Sequence, residues 1–292
     1  MNDKDGNQVQ LVTFHDSDGL TAGIADGDQI ASLADLGRGR ISIKELLTAG
    51  PAAVAEALEA RREYAGPTTA VDAVRLAPPV PDPDKIICLG LNYPSHVAET
   101  KKEPPKIPML FAKYGTSLVG AHDEVVIPRI AKLIDWEGEL AVVIGREAHQ
   151  VTEAEALDHV AGYSVVNDVT ARDLQRATSQ FMAGKAIDTF APIGPGIVPA
   201  GEIEDPEVLR LRTRVNGAVV QDDSTGSMLI GIAATIAFLS EIITLVPGDI
   251  IATGTPSGVG AAMQPPVFLK AGDRVEVEIE GIGSISNPVV GP

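Results

Sequence analysis

At 292 residues, with 45% apolar and 22% charged side chains, the chain has a globular composition and enough length for one or two domains with a packed core. A formal net charge of −17 argues against nucleic acid, whose binding needs clustered Lys and Arg, and against an anionic membrane surface. The single cysteine, Cys88, excludes an internal disulfide and a thiolate zinc cluster.

The chain opens on polar residues, Met1–Asp5, without a signal-peptide apolar region. No charge-free apolar run reaches about 18 residues, so no spanning helix is predicted. A cytoplasmic protein is the expectation. Residues 9–33 alternate in short β-like pieces around the turn at 16–19. Ser42–Glu45 fits a capping box opening a helix, and Pro51 suits the first turn of another running to about Tyr64. Pro78, Pro79, Pro81 and Pro83 then rule out helix and central strand. They divide a small N-terminal α+β domain, residues 1–78, from a larger domain, residues 85–292, with residues 79–84 as the linker.

The larger domain is rich in strands. Ile86–Leu89 reads as a strand in which Cys88 packs as a small hydrophobe. Thr152–Glu155 fits a second capping box, starting a short helix through about His159. Tyr163–Val166 reads as a strand, and residues 207–221 as a hairpin turning at Asn216-Gly217. Met228–Val246 reads as a buried core helix, and Arg274–Ile279 alternates as a half-buried strand. Strands outnumber helices without regular βαβ alternation, which gives a β-rich α+β class.

Three sets of side chains could carry chemistry. Glu137 and Glu139 stand at the mouth of an apolar Val/Ile-rich run. Residues two apart on a strand share a face, so both carboxylates point the same way. At roughly 4 Å they repel by about 4 kcal/mol at an effective dielectric near 20. A hard divalent cation with oxygen preference would hold them together; a solvated strand end is the plain alternative. Asp168, where a strand gives way to a helix, could complete a three-carboxylate site or could simply cap the turn. His96 and Glu99, three apart after Pro94, share one face of a helical turn, and a carboxylate raises the basicity of an imidazole beside it. Lys185, Arg172 and Gln175 could stabilise an oxyanion, or could be ordinary solvated polar groups. Residues 251–260 are glycine-rich without a Walker or dinucleotide pattern. Gly254 there would allow close backbone approach to a small ligand, and Thr255 could donate to it.

Each piece is weak alone, but their order is specific. Gly90-Leu91-Asn92-Tyr93 leads to His96 and Glu99. Glu137-Gly138-Glu139 follows, then Asn167–Gln175, Gly184-Lys185, Asp188-Thr189-Phe190 and Thr253–Gly260. Together they resemble the fumarylacetoacetate hydrolase family over residues 85–292, with residues 1–78 similar to the variable leading domain of bacterial-type members.

The resemblance implies a roll of mixed β-sheets, usually a homodimer. It implies Mg²⁺, with Mn²⁺ or Ca²⁺ possible, held by Glu137, Glu139 and Asp168. It implies a small anionic substrate, a 2-oxo acid or 1,3-diketone such as an acylpyruvate. His96 with Glu99 would activate water for C–C bond hydrolysis. Arg172, Gln175 and Lys185 would stabilise the enolate leaving group together with the metal. Thr255, Gly254 and Tyr93 would contact substrate. Where some members carry a fourth acidic ligand just before the histidine, this chain has Asn92 and Tyr93, which argues against fumarylacetoacetate itself. Oxaloacetate decarboxylation and 2-oxo acid isomerisation suit the same scaffold, and a non-catalytic ligand-binding member is a third option.

Overall fold

The structure is a computed structural model that describes residues 8–292; the polar stretch Met1–Asp5 lies outside the described residues. The strand Gly138–Ile144 is apolar after Glu139 because neither face meets water: all seven of its residues are buried. It lies near the middle of a 12-stranded sheet. On one side it pairs antiparallel with Val160–Asn167, and on the other with Ile250–Ala252. Ile86–Gly90 runs parallel to Ile250–Ala252 and pairs antiparallel with Met109–Lys113.

A second, five-stranded sheet packs against the first. In Arg274–Ile279 the valines and isoleucine are buried while Arg274, Glu276 and Glu278 are not, as strict alternation requires. Its neighbours are Arg210–Val215 and Gly283–Val290. The hairpin from Arg210–Val215 to Ala218–Ser224 turns on Asn216 and Gly217, both at positive φ, which matches strand twist. One core cluster unites the sheets, placing Leu140, Val142 and Ile144 with Val275, Val277 and Ile285. The protein is therefore a strand-rich α+β molecule of packed sheets.

The leading strands Gln10–Asp16, Gly19–Asp26 and Gln29–Ser32 extend the large sheet, joined to Ala191–Pro199 at Leu11↔Ile197. The helix Ile43–Thr48 carries the expected capping box: Ser42 Oγ accepts the Glu45 amide and the Glu45 carboxylate accepts the Ser42 amide. Pro51–Glu63 forms the second helix. Residues 78–85 carry neither helix nor strand.

Two expectations change. The apolar stretch 228–246 forms a helix only over Ile232–Ile242, buried on one face. Before it, the Leu229 and Ile230 amides are held by Asn92; after it, Ile243 is extended. At 152–159 only a single 3₁₀ turn forms, Ala156–His159. The Glu155 amide goes to the Thr152 carbonyl, and Thr152 Oγ1 donates to the Glu155 carboxylate instead of accepting from the backbone. Among the described residues no helix is long and apolar enough to cross a membrane.

Candidate active site

The antiparallel register brings the three carboxylates together. Gly138 pairs with Asn167, so Glu137 and Asp168 meet at the sheet end, where the Asp168 amide donates to the Glu137 carbonyl at 2.8 Å. One carboxylate oxygen from each of Glu137, Glu139 and Asp168 lies within 4.8 Å of the others, and all three residues are buried. Gly138 between the glutamates is a packing requirement: a Cβ there would collide with Thr213 Oγ1 and come to 2.9 Å from Val277 Cγ1. Gln221 fixes the same corner. Its Oε1 accepts the Gly138 amide at 3.0 Å and its Nε2 donates to Thr255 Oγ1 at 2.8 Å.

Three buried cations crowd this cluster. Lys185 Nζ lies 2.5 Å from Glu137 Oε2 and 2.6 Å from Asp168 Oδ2. Arg172 spans Asp135 at 2.8 Å and Glu137 at 2.7 Å. Lys113 Nζ lies 2.8 Å from Asp168 Oδ1 and donates to the carbonyls of Val169, Lys185 and Phe190. Burial opposes ionisation of Glu137, but the charges of Lys185 and Arg172 outweigh it and hold this carboxyl well below the usual range. Glu139 behaves oppositely. Burial, then the charges of Asp168 and Glu137, push its carboxyl well up.

Glu139 makes no ion pair among the described residues. Its one hydrogen bond here is from the Gly254 amide at 2.8 Å. Four buried acids (Asp135, Glu137, Glu139, Asp168) thus face three buried cations, and Glu139 is the acid left over. Three hard oxygen donors with one uncompensated charge fit a divalent cation such as Mg²⁺, Mn²⁺ or Ca²⁺. The residues present therefore suit the metal that the sequence implies.

The imidazole and its partner stand across the cavity. Pro94 opens the helix Pro94–Thr100, and its three-residue spacing sets His96 Nδ1 2.7 Å from Glu99 Oε1. Glu99 Oε2 accepts the Gly258 amide at 2.9 Å. In the tautomer that donates Nδ1–H to Glu99, Nε2 keeps a lone pair for a proton.

A cavity of about 480 Å³ is bordered by His96, Glu99, Glu137, Glu139, Arg172, Gln175, Lys185 and Thr255. The sequence-proposed residues Tyr93 and Gly254 are not brought to its wall. The Tyr93 ring is fully buried with its hydroxyl unpartnered, and burial pushes that hydroxyl's pKa up. Gly254, at φ +94°, turns its amide onto Glu139. Asp168 has no place on the wall either; it meets Lys185 and Lys113 behind it. Sequence reasoning missed Lys113, Asp135 and Gln221. A lysine closing the apolar strand Met109–Lys113 was the one local signal.

Comparison with known proteins adds independent weight. The model of the fumarylacetoacetate hydrolase C-terminal domain matches residues 85–290. The chain is 48% identical over 219 residues to the Xenopus laevis protein named oxaloacetate tautomerase fahd2, mitochondrial, covering 74% of this chain and 69% of that one. Its fold is that of 2-hydroxyhepta-2,4-diene-1,7-dioate isomerase from Mycobacterium marinum (TM-score 0.78, 34% identity, 97% and 98% of the two chains). Maleylpyruvate hydrolase from Sphingobium sp. SYK-6 is equally alike (TM-score 0.81, 32% identity, 97% and 100%). The mitochondrial name of the Xenopus relative overturns the cytoplasmic expectation: the polarity of a chain's first residues does not fix its compartment. Matched over most of its length by sequence and by fold, the chain belongs to the fumarylacetoacetate hydrolase family, and its homologues are enzymes.

Proposed function

We propose that this enzyme moves a proton at the carbon beside the ketone of a 2-oxo diacid, with keto–enol tautomerisation of oxaloacetate as its reaction. The observation that carries the reading is the His96–Glu99 pair, 2.7 Å apart on the wall of the cavity that Glu137 and Glu139 also line. The Xenopus relative's activity supports it. Mg²⁺ held by Glu137, Glu139 and Asp168 would supply Lewis acidity toward the substrate's oxygens. His96 Nε2 takes the C3 proton, Glu99 stabilises the imidazolium that results, and return of a proton from Nε2–H to the C2 oxygen completes the enol and restores the base. Lys185 offers positive charge against the oxygen that becomes negative as the proton leaves. Arg172 and Gln175, 3.2 Å apart, border the same space.

Hydrolytic C–C cleavage of an acylpyruvate is the second reading. It uses the same base on a water molecule, and the likeness to maleylpyruvate hydrolase favours it. The two separate in one assay. Purified protein with Mg²⁺ is given oxaloacetate, followed by ultraviolet absorbance of its enol, and in parallel an acylpyruvate. Accelerated keto–enol equilibration, abolished by a chelator, is the expected result. Acylpyruvate cleavage with no effect on the oxaloacetate enol would replace tautomerase with hydrolase.

A further inference from the structure

Every buried cation at the acidic end of the cavity is already engaged by a carboxylate. Lys185 serves Glu137 and Asp168, and Arg172 serves Asp135 and Glu137. Two further cations border the same cavity, Lys102 from the turn that follows the His96 helix and Arg176 at the end of the short helix Arg172–Gln175. Both are exposed, and neither makes an ion pair with any described residue. An aromatic pair stands between Lys185 and Lys102. Lys185 Nζ lies 4.9 Å from the Phe111 ring centre, Phe111 meets Phe181 edge to face at 6.0 Å, and Lys102 Nζ lies 5.4 Å over Phe181. The cavity is thus graded: committed charges inside, an aromatic divider, then free positive charge at the mouth.

Of the described cations without an ion pair, Lys102 and Arg176 are the two that border this cavity, where they set a local positive field against the chain's net charge of −17. A short substrate whose 2-oxo acid end enters first turns its other end toward this rim, where the long side chains of Lys102 and Arg176 can reach inward to meet it. We infer that Lys102 and Arg176 recognise the distal carboxylate of the substrate, making the site selective for 2-oxo diacids over 2-oxo acids with a neutral tail. This assignment rests on the reading of the cavity as a 2-oxo acid site and adds the residues that choose among such acids. Arg176 can grip a carboxylate with two parallel N–H donors, and Lys102 adds a point charge held over Phe181.

The test reads binding apart from turnover. Full-length protein in Mg²⁺ is titrated calorimetrically with 3,3-difluorooxaloacetate, which has no C3 proton to lose, and with its 4-methyl ester. Wild-type protein should bind the diacid about tenfold more tightly than the ester, the scale of one charge-assisted contact. The Lys102→Ala/Arg176→Ala double variant should bind the diacid no better than the ester, with the ester's affinity unchanged. High salt should shrink the wild-type preference. Equal wild-type affinities overturn the assignment, as does a parallel loss for both ligands in the variant. Oxaloacetate turnover by the wild type is scored separately. An inactive protein that still prefers the diacid defeats the tautomerase reading alone, and an active one without preference defeats this assignment alone.

Discussion

Glu99 accepts the Gly258 amide through Oε2 while its other oxygen holds His96, so one side chain ties the base to the glycine-rich loop 159 residues away. Glu99→Gln keeps the shape but removes the charge that stabilises an imidazolium. With one acceptor oxygen and a donor NH2 in place of two acceptors, it can no longer accept from both the Gly258 amide and Nδ1–H. We expect kcat to fall by about 10²–10⁴-fold with a much smaller change in KM. Steady-state kinetics beside a thermal melt checks this; wild-type kcat in a folded variant would remove Glu99 from the mechanism.

Glu139 is the buried acid without a cation, so its removal should act in opposite directions with and without metal. In chelator, Glu139→Gln should raise Tm, by about 2–4 °C for each kcal/mol that burying this ionisable carboxyl costs. With Mg²⁺ at a hundred times its Kd, wild-type protein should gain about 2.7 kcal/mol and the variant almost nothing. Equal Mg²⁺ stabilisation of the two proteins would show that Glu139 does not hold the ion.

Gly254 sits at φ +94°, where an added Cβ would lie 2.8 Å from Asn92 Cβ and 3.2 Å from the Leu89 carbonyl oxygen. Gly254→Ala should cost about 1–3 kcal/mol and draw its amide off Glu139. Urea unfolding measures the first effect, and Mg²⁺ affinity the second. An unshifted urea midpoint would mean that the loop relaxes around the methyl group.

Asp135 accepts from Arg172 Nε at 2.8 Å and from the Gly260 and Ala261 amides at 2.7 and 3.0 Å. Asp135→Asn removes one of the two carboxylates that Arg172 spans and leaves the buried guanidinium with Glu137 alone, a loss of about 1.5–3 kcal/mol. Pairing it with Arg172→Met should give a coupling above about 1 kcal/mol in a double-mutant cycle of denaturation energies. Strict additivity would dismiss the contact.

Local physics made much of this molecule legible. Strand alternation placed Glu137 and Glu139 on one face, and helical spacing joined His96 to Glu99. The Ser42 cap and the Asn216-Gly217 turn follow from residue chemistry alone. What the sequence concealed were partnerships across long separations. Lys113 and Asp168 are 55 residues apart, and only the packing of two strand ends makes them neighbours. The Leu11↔Ile197 pairing, which carries the leading strands into the large sheet, has no local signal either. The helix at 232–242 is shorter than its apolar run: Asn92, far upstream, holds Leu229 and Ile230 in the preceding loop, and Ile243 turns extended after it.

Lys185 lies between Glu137 and Asp168 as a tethered counterion. Stripping divalent ions should therefore leave these acids partly neutralised instead of bursting the sheet ends apart. Inactivation by a chelator is expected to be reversible, full activity returning on resupply of Mg²⁺ without refolding. A built-in ammonium of this kind would let the enzyme endure fluctuating ion supply and resume work when the supply recovers.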